Sequence, residues 1–336
     1  MPALPCASGC GAPRLAVPCG KTGSMILVTG GPGFIGQRLI RRLVEEGHAM
    51  RTLIRPSAQT PRLPQGVAVE AAISSLADVR GLRAALIGVE TVFHLAGVDW
   101  AEPRDNFRAS ETEGTRNLLE AAQDAGVKRL VYLSHLDSDR AAAFPALKAK
   151  GIAEEFIRQS RLDFTILRSS LVFGPDDHFS TGLAKLMAFI PRVFPLPADG
   201  DTLLQPFWVE DLVSCLAWCL EDADTIGQTI LVGGPEHMSL RQIAEQILQK
   251  TGLQRQLISV RPSYLRILIN LSRVFAPHIP ASNYWLDYLA ADRICGLDSV
   301  PRVFHLQPAR FSQKTEYLVG VDWQKSIRQE QATSQS

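Results

Sequence analysis

The sequence has no apolar run near the roughly 18 residues needed to cross a bilayer, so no membrane span is expected. Cysteine is scarce, with six scattered among 336 residues. That is too few for a disulfide framework in a chain this long, and a reducing, cytoplasmic setting follows. Charge of one sign is also missing. Lys and Arg total 35 against 34 Asp and Glu, for a formal net charge of +1. This excludes the clustered charge of a nucleic-acid groove or an acidic tail. No cluster supplies a full metal set: Asp176, Asp177 and His178 are adjacent but too few, and read as a loop. Tyrosine occurs five times, at Tyr132, Tyr264, Tyr284, Tyr288 and Tyr317, which matters below.

Residues 1–24 are rich in Pro, Gly, Ala and Cys and show no helical or strand period. They lack the continuous apolar stretch of a signal peptide. The expectation is a disordered leader, or an over-long start with the fold beginning at Met25. Cys6, Cys10 and Cys19 have no His or fourth Cys nearby to complete a zinc set.

From Met25 onward the pattern changes. Short apolar runs begin at Met25, Met50, Val67, Glu90, Lys128, Leu162 and Gln228. Between the first six lie segments with apolar residues at helical spacing, such as Ile35, Leu39, Leu43 and Val44. Gly47 and Gly126 stop two of these helices, and Ser239 starts a later one. Strands alternating with helices imply a parallel sheet covered on both faces. After about Phe173 the alternation weakens and proline rises. The expected organisation is a dinucleotide-binding domain over 25–175, with 205–235 returning to it. Residues 176–204 and 236–322 form a smaller, mostly helical C-terminal lobe for substrate or partner, and 323–336 a polar tail.

The first strand runs into Gly30-Gly31-Pro32-Gly33-Phe34-Ile35-Gly36 and then a helix. Gly30 permits the tight turn, Gly33 lets backbone approach a pyrophosphate, and Gly36 lets helix and sheet lie close. The helix N-terminus, at Phe34 and Ile35, then offers amides and a positive dipole end to the phosphates. This is the phosphate loop of a doubly wound, Rossmann-type α/β sheet. The second strand ends in Arg55-Pro56-Ser57, without the acid that would bond the ribose 2′-hydroxyl of NAD. Arg55 lies about 20 residues past the glycines, where a guanidinium pairs with a 2′-phosphate. NADP is therefore the expected cofactor, and NAD the less favoured one.

Five motifs resemble the extended short-chain dehydrogenase/reductase family: Thr29 to Gly36, Phe93-His94-Leu95-Ala96-Gly97, Glu113 to Leu119, Leu167 to Pro175, and Phe207 to Leu212. The resemblance runs from Met25 to about Ile247. It implies that Leu95 and Ala96 line the cofactor, and it implies a nucleotide-sugar-like cleft. Tyr132-Leu133-Ser134-His135-Leu136 and Lys150-Gly151-Ile152-Ala153-Glu154 resemble an atypical branch, which holds the nucleotide-binding accessory subunit of respiratory complex I and its bacterial relatives.

The departures carry as much meaning. Catalysis in the family uses a Tyr four residues before a Lys, so that both reach the nicotinamide. If the Lys is Lys150, the Tyr position holds Ala146; if it is Lys148, the position holds Phe144. Neither residue has a hydroxyl. The group that should polarise the substrate carbonyl falls just after Ser134, where His135 and Leu136 stand. After the third strand comes Ser75, at the place where the family often has an Asp for the adenine.

Lys150, Ser134 and His135 are thus the candidate catalytic residues. Lys150 is suited to the ribose hydroxyls, and His135 to replacing the lost acid. Ser134 is suited to contacting substrate or satisfying strand-end backbone. His94, in a buried strand, reads as a packing or backbone-bonding residue. Cys215 and Cys219, one helical turn apart, read as a core face. The apolar stretch Tyr264 to Phe275 reads as a core helix of the lobe, with a membrane surface or protein partner as the alternative. An apolar lobe suits a lipid-like or quinone-like ligand. Two functions stay open. One is a non-standard NADP-dependent oxidoreductase or epimerase; the other is a non-catalytic nucleotide-holding protein that supports a larger, respiratory-type complex.

Overall fold

The computed structural model describes residues 25–57, 63–97, 108–275 and 283–326. The expectations for residues 1–24 and for most of the polar tail lie outside these residues. Seven strands form one sheet: β1 (Met25–Thr29), β2 (Met50–Ile54), β3 (Glu70–Ile73), β4 (Val89–His94), β5 (Arg129–His135), β6 (Asp163–Ser169) and β7 (Gln228–Val232). Their order is β7-β6-β5-β4-β1-β2-β3, and every pair is parallel. The segment from Gln228 rejoins the sheet beside β6. β3 is shorter than the run from Val67 predicts, because it is an edge strand whose Ile73 faces solvent.

Helices α1 (Phe34–Glu45), α2 (Val79–Ala85), α3 (Gly114–Asp124) and α4 (Pro145–Gln159) follow β1, β3, β4 and β5. Later come α5 (Ser180–Phe189), α6 (Val209–Trp218), α7 (Leu240–Thr251), α8 (Pro262–Phe275), α9 (Asn283–Tyr288) and α10 (Ser299–Phe304). The inner strands are nearly continuous apolar runs because they are covered twice. Leu39, Leu43, Leu212, Leu216 and Val300 close one face of the sheet. Leu82, Leu118, Ala122, Ala153 and Ile157 close the other. Cys215 and Cys219 are fully buried on the first face. Burial pushes the Cys215 thiol well up and that of Cys219 to about 12, so neither is a reactive thiolate.

A third core, including Phe179, Met187, Leu196, Ile243, Ile247 and Tyr288, belongs to the later helices and a short parallel pair, Val193–Pro197 with Gln256–Val260. Ser239 begins α7 with a complete capping box, its side chain accepting from Gln242 N–H. The core-helix reading of Tyr264 to Phe275 needs correction. The α8 side chains Tyr264, Ile267, Leu268 and Leu271 are each more than half exposed. Only one side of the helix packs on the lobe, and its apolar residues run round to the other.

Strand order reverses between β1 and β4, and the crevice beyond their carboxyl ends is where doubly wound sheets bind ligands. Among the described residues no helix is long and apolar enough to cross a membrane.

Candidate functional site

The glycine turn is built as a cradle. Gly30 adopts φ +76°, and a Cβ there would come within 2.8 Å of Ala96 N. A Cβ on Gly36 would come within 2.2 Å of the Gly30 carbonyl oxygen, so α1 can start only with hydrogen at that position. A Cβ on Gly33 would meet only the Gly30 oxygen, at 3.1 Å, leaving that side of the turn open. Gly33 is the N-cap of α1, with no side-chain cap and no acid in the first turn, so the leading amides remain available to an anion. Gly31, given no role in the sequence reading, is equally constrained: its Cβ would fall 2.0 Å from Thr52 Oγ1.

Leu95 and Ala96 press against this turn. Leu95 N donates to Thr29 O and Ala96 N to Thr29 Oγ1. Below them His94 is fully buried, with Nδ1 2.7 Å from Thr29 Oγ1 and Nε2 2.9 Å from Thr115 Oγ1. Burial, aided by the Lys150 charge, lowers its pKa to about 3. It is a neutral strut between β1, β4 and α3, in line with the packing role read from sequence. Arg55, Pro56 and Ser57 stand exposed at the carboxyl end of β2, beside the cradle.

The two candidate lysines lie in different surroundings. Lys148 is exposed, whereas Lys150 is 7% exposed and points inward. Lys150 Nζ lies 3.2 Å from Glu111 Oε2, 3.3 Å from Leu133 O and 3.5 Å from Tyr132 Oη. Tyr132 Oη donates to Glu111 Oε2 at 3.3 Å. A Cβ on Gly97 would sit 3.5 Å from Nζ, so the ammonium reaches the end of the β4 loop. Ala146 lies one turn before Lys150 in α4. Tyr132 does not replace the lost phenol: it is fully buried in β5, and burial with the Glu111 charge raises its pKa, keeping it protonated. Glu111 lies in a π-helical turn before α3, 39 residues from Lys150, and no local pattern announced it.

Ser134 is drawn into a different network. Its hydroxyl donates to Glu154 Oε1 at 2.6 Å and accepts from the Ser138 hydroxyl at 3.1 Å. Glu154 is fully buried and also binds Arg168 Nη2 and Arg158 Nη2, each at 2.7 Å. These bonds tie the ends of β5 and β6 to α4.

His135 is partly buried at the end of β5, its ring edge-on to Tyr288 with centroids 6.4 Å apart. Burial, then the positive charges of Lys150 and Arg293, lower its pKa to about 3. This shift favours the uncharged ring at neutral pH. Arg293, unremarked in the sequence, packs over Tyr288 and Phe144 and pairs with Asp137. From Tyr288 the contacts run to Trp285. Trp285 lines a cavity of about 510 Å³ in the lobe, with Phe179, Leu183, Leu196, Leu265 and Leu286 among its mostly apolar walls. Asp177 lies apart from this. It caps α5, accepting from Ser180 N and Thr181 N, and belongs to a loop as the sequence suggested.

The NAD(P)H-binding family model matches residues 30–181. The chain is 38% identical over 261 residues to a 3β-hydroxysteroid dehydrogenase/Δ5→4-isomerase of Mycobacterium tuberculosis, covering 68% of this chain and 69% of that one. It is 27% identical over 339 residues to a 2-alkyl-3-oxoalkanoate reductase of Stenotrophomonas maltophilia, covering 92% and 99%. With subunit 9 of the NADH dehydrogenase 1 alpha subcomplex of Rattus norvegicus it shares 28% identity over 175 residues, 52% of this chain and about half (46%) of that protein. An epimerase from Methanothermobacter thermautotrophicus superposes with TM-score 0.70 at 20% identity, over 91% of this chain and 95% of that one. The chain belongs to the extended short-chain dehydrogenase/reductase family, in its atypical range, and has that family's NAD(P)-binding domain.

Proposed function

We propose that this chain is an NADP(H)-dependent oxidoreductase acting on a carbonyl or alcohol of an apolar, lipid-like molecule. The observation that carries this is the apolar cavity of about 510 Å³ joined to His135 through Trp285 and Tyr288. Its size lies within the range of small-molecule sites. The steroid named for one relative is largely apolar, and the 2-alkyl-3-oxoalkanoate named for another joins alkyl chains to a carboxylate.

The cofactor fits the residues present: the uncapped start of α1 and the Gly30–Gly36 cradle leave room and amides for a pyrophosphate. When bound, the dinucleotide supplies or accepts a hydride at the substrate carbon. Gly30, Gly33, Phe34, Ile35 and Gly36 hold its phosphates through backbone, and Leu95 and Ala96 lie alongside. Arg55 pairs with the 2′-phosphate. Lys150 reaches the ribose hydroxyls by exchanging one of its three contacts. Ala146 and Phe144 offer no proton. Neutral His135 therefore polarises the carbonyl oxygen by donating its N–H, and water supplies the proton. Ser134 acts through Glu154 as a positioning residue for the end of β5.

NADPH absorbance in the presence of 3-ketosteroids and long-chain ketones tests this reading. The expected result is substrate-dependent oxidation that favours NADPH over NADH, with the preference lost in Arg55→Ala. No oxidation with any apolar ketone, from a protein that retains NADP(H) through purification, would refute it. That result would support a second reading, a nucleotide-holding protein within a larger complex. The absence of a hydroxyl at both Phe144 and Ala146 favours that reading, as does the complex I similarity. The exposed apolar side of α8 would then be its contact with a partner or membrane surface.

A further inference from the structure

Arg293 is 3% exposed, yet its guanidinium is only partly used. Nη1 donates to Asp137 Oδ2 at 2.7 Å. Nε and Nη2 are both buried and have no hydrogen-bond partner among the described residues. A buried polar group without a partner is destabilising, and a buried cation especially so. The two unmatched donors are not a random pair. Their N–H bonds run parallel along one edge of the guanidinium plane, the edge that meets both oxygens of a single carboxylate.

The surroundings say what the guanidinium borders. The guanidinium carbon is 5.4 Å from the Tyr288 ring centroid and 5.9 Å from that of Phe144. Its charge is felt at His135. His135 follows Ser134, where the resemblance places the hydroxyl that polarises the substrate, and His135 and Arg293 both pack on the Tyr288 ring, so Arg293 borders that region. Asp137, its one carboxylate partner, has a half-exposed side chain and leaves the buried charge incompletely compensated.

We infer that Arg293 is a carboxylate-binding residue, and that the ligand is an amphipathic acid whose carboxylate meets Nε and Nη2 while its alkyl chain enters the apolar cavity. This deepens the lipid-like substrate reading and rests on it for the position of the chain. It narrows the substrate to an oxo- or hydroxy-acid with a long hydrocarbon tail, in preference to a neutral ketone.

Binding of two unreactive probes, dodecanoate and 1-dodecanol, to the NADP(H)-loaded protein tests the inference by calorimetry at pH 7. A bidentate charge-assisted pair should favour the acid by at least about tenfold. Arg293→Gln should erase that preference while leaving 1-dodecanol affinity in place. Asp137→Asn, at a half-exposed side chain, releases Nη1 and should increase the preference. Equal affinity of the two probes, or an acid preference that survives Arg293→Gln, overturns the inference. Should near-UV circular dichroism show Arg293→Gln unfolded, Asp137→Asn decides alone: a stronger acid preference supports the site, and an unchanged or weaker one overturns it. Turnover separates the two readings. Arg293-dependent acid binding without NADPH oxidation sustains this inference and removes the reductase. Oxidation with neutral ketones and no acid preference does the reverse.

Discussion

Acid should weaken this protein through a histidine that never meets water. His94 is enclosed between Thr29 and Thr115, and its pKa in the fold is about 3 against an ordinary 6.5. The unfolded chain binds a proton at this site between those values and the folded chain does not, so stability falls as pH falls from about 6.5 toward 3. Integrated between pH 7 and pH 5, the loss from this one group is about 2 kcal/mol. Other groups contribute too. Burial raises Asp177, whose effect has the opposite sign: its charged form disfavours the fold, and protonation relieves that as pH drops. The comparison must therefore be a difference between proteins. Urea unfolding of the parent and His94→Gln at pH 7 and pH 5 isolates the term, because Asp177 is common to both. The parent should lose about 2 kcal/mol more than the variant over that interval. Equal losses, within about 0.5 kcal/mol of extrapolation error, would refute the claim that His94 is held neutral by burial.

Two further outcomes test the architecture. Gly31→Ala places a methyl 2.0 Å from Thr52 Oγ1 and 2.8 Å from Ile40 Cδ1, so it should cost about 1–3 kcal/mol and weaken nucleotide binding. Thr52→Ala in the same protein should recover part of both losses, and strictly additive effects in the double-mutant cycle would contradict the clash. Glu154→Gln leaves Arg168 and Arg158 facing a neutral group in a buried setting and should cost about 3–5 kcal/mol in chemical denaturation, with less than about 1 kcal/mol counting against the network.

The parts of the fold legible in the sequence are those specified locally. β1, β4, β5 and β6 are covered on both faces and so read as short apolar runs; the helices between them repeat every three or four residues. The glycine turn was legible because its geometry is confined to seven consecutive positions. Counting back from Arg168 and Glu154 favours Lys150, with Lys148 as the alternative register, and neither has a hydroxyl one turn earlier. In the fold the rotation of α4 turns Lys150 toward Glu111 and Lys148 toward solvent. Glu111, Glu154 and Arg293 gain their meaning from residues 39, 20 and 156 positions away, as in the pairs with Lys150, Ser134 and Asp137. α8 was misjudged for a related reason. An apolar stretch records how much surface avoids water, not how much of it the fold can cover.

The buried charges near β5 differ in how fully they are satisfied, and the difference follows function. Glu154 meets Ser134, Arg158 and Arg168 at once, and Lys150 has three oxygens within reach. A charge that serves only to join elements is expected to be surrounded in this way, since each missing bond costs stability. Arg293 joins the lobe to β5 as well, through Asp137, but does so with one nitrogen and leaves a two-donor edge unmatched. A purely structural strut would be more stable with that edge paired or replaced by hydrocarbon. The unmatched edge therefore marks Arg293 as a group organised for something that arrives from outside. Its neighbours, neutral His135 and the rings of Phe144 and Tyr288, offer no competing anion to fill it.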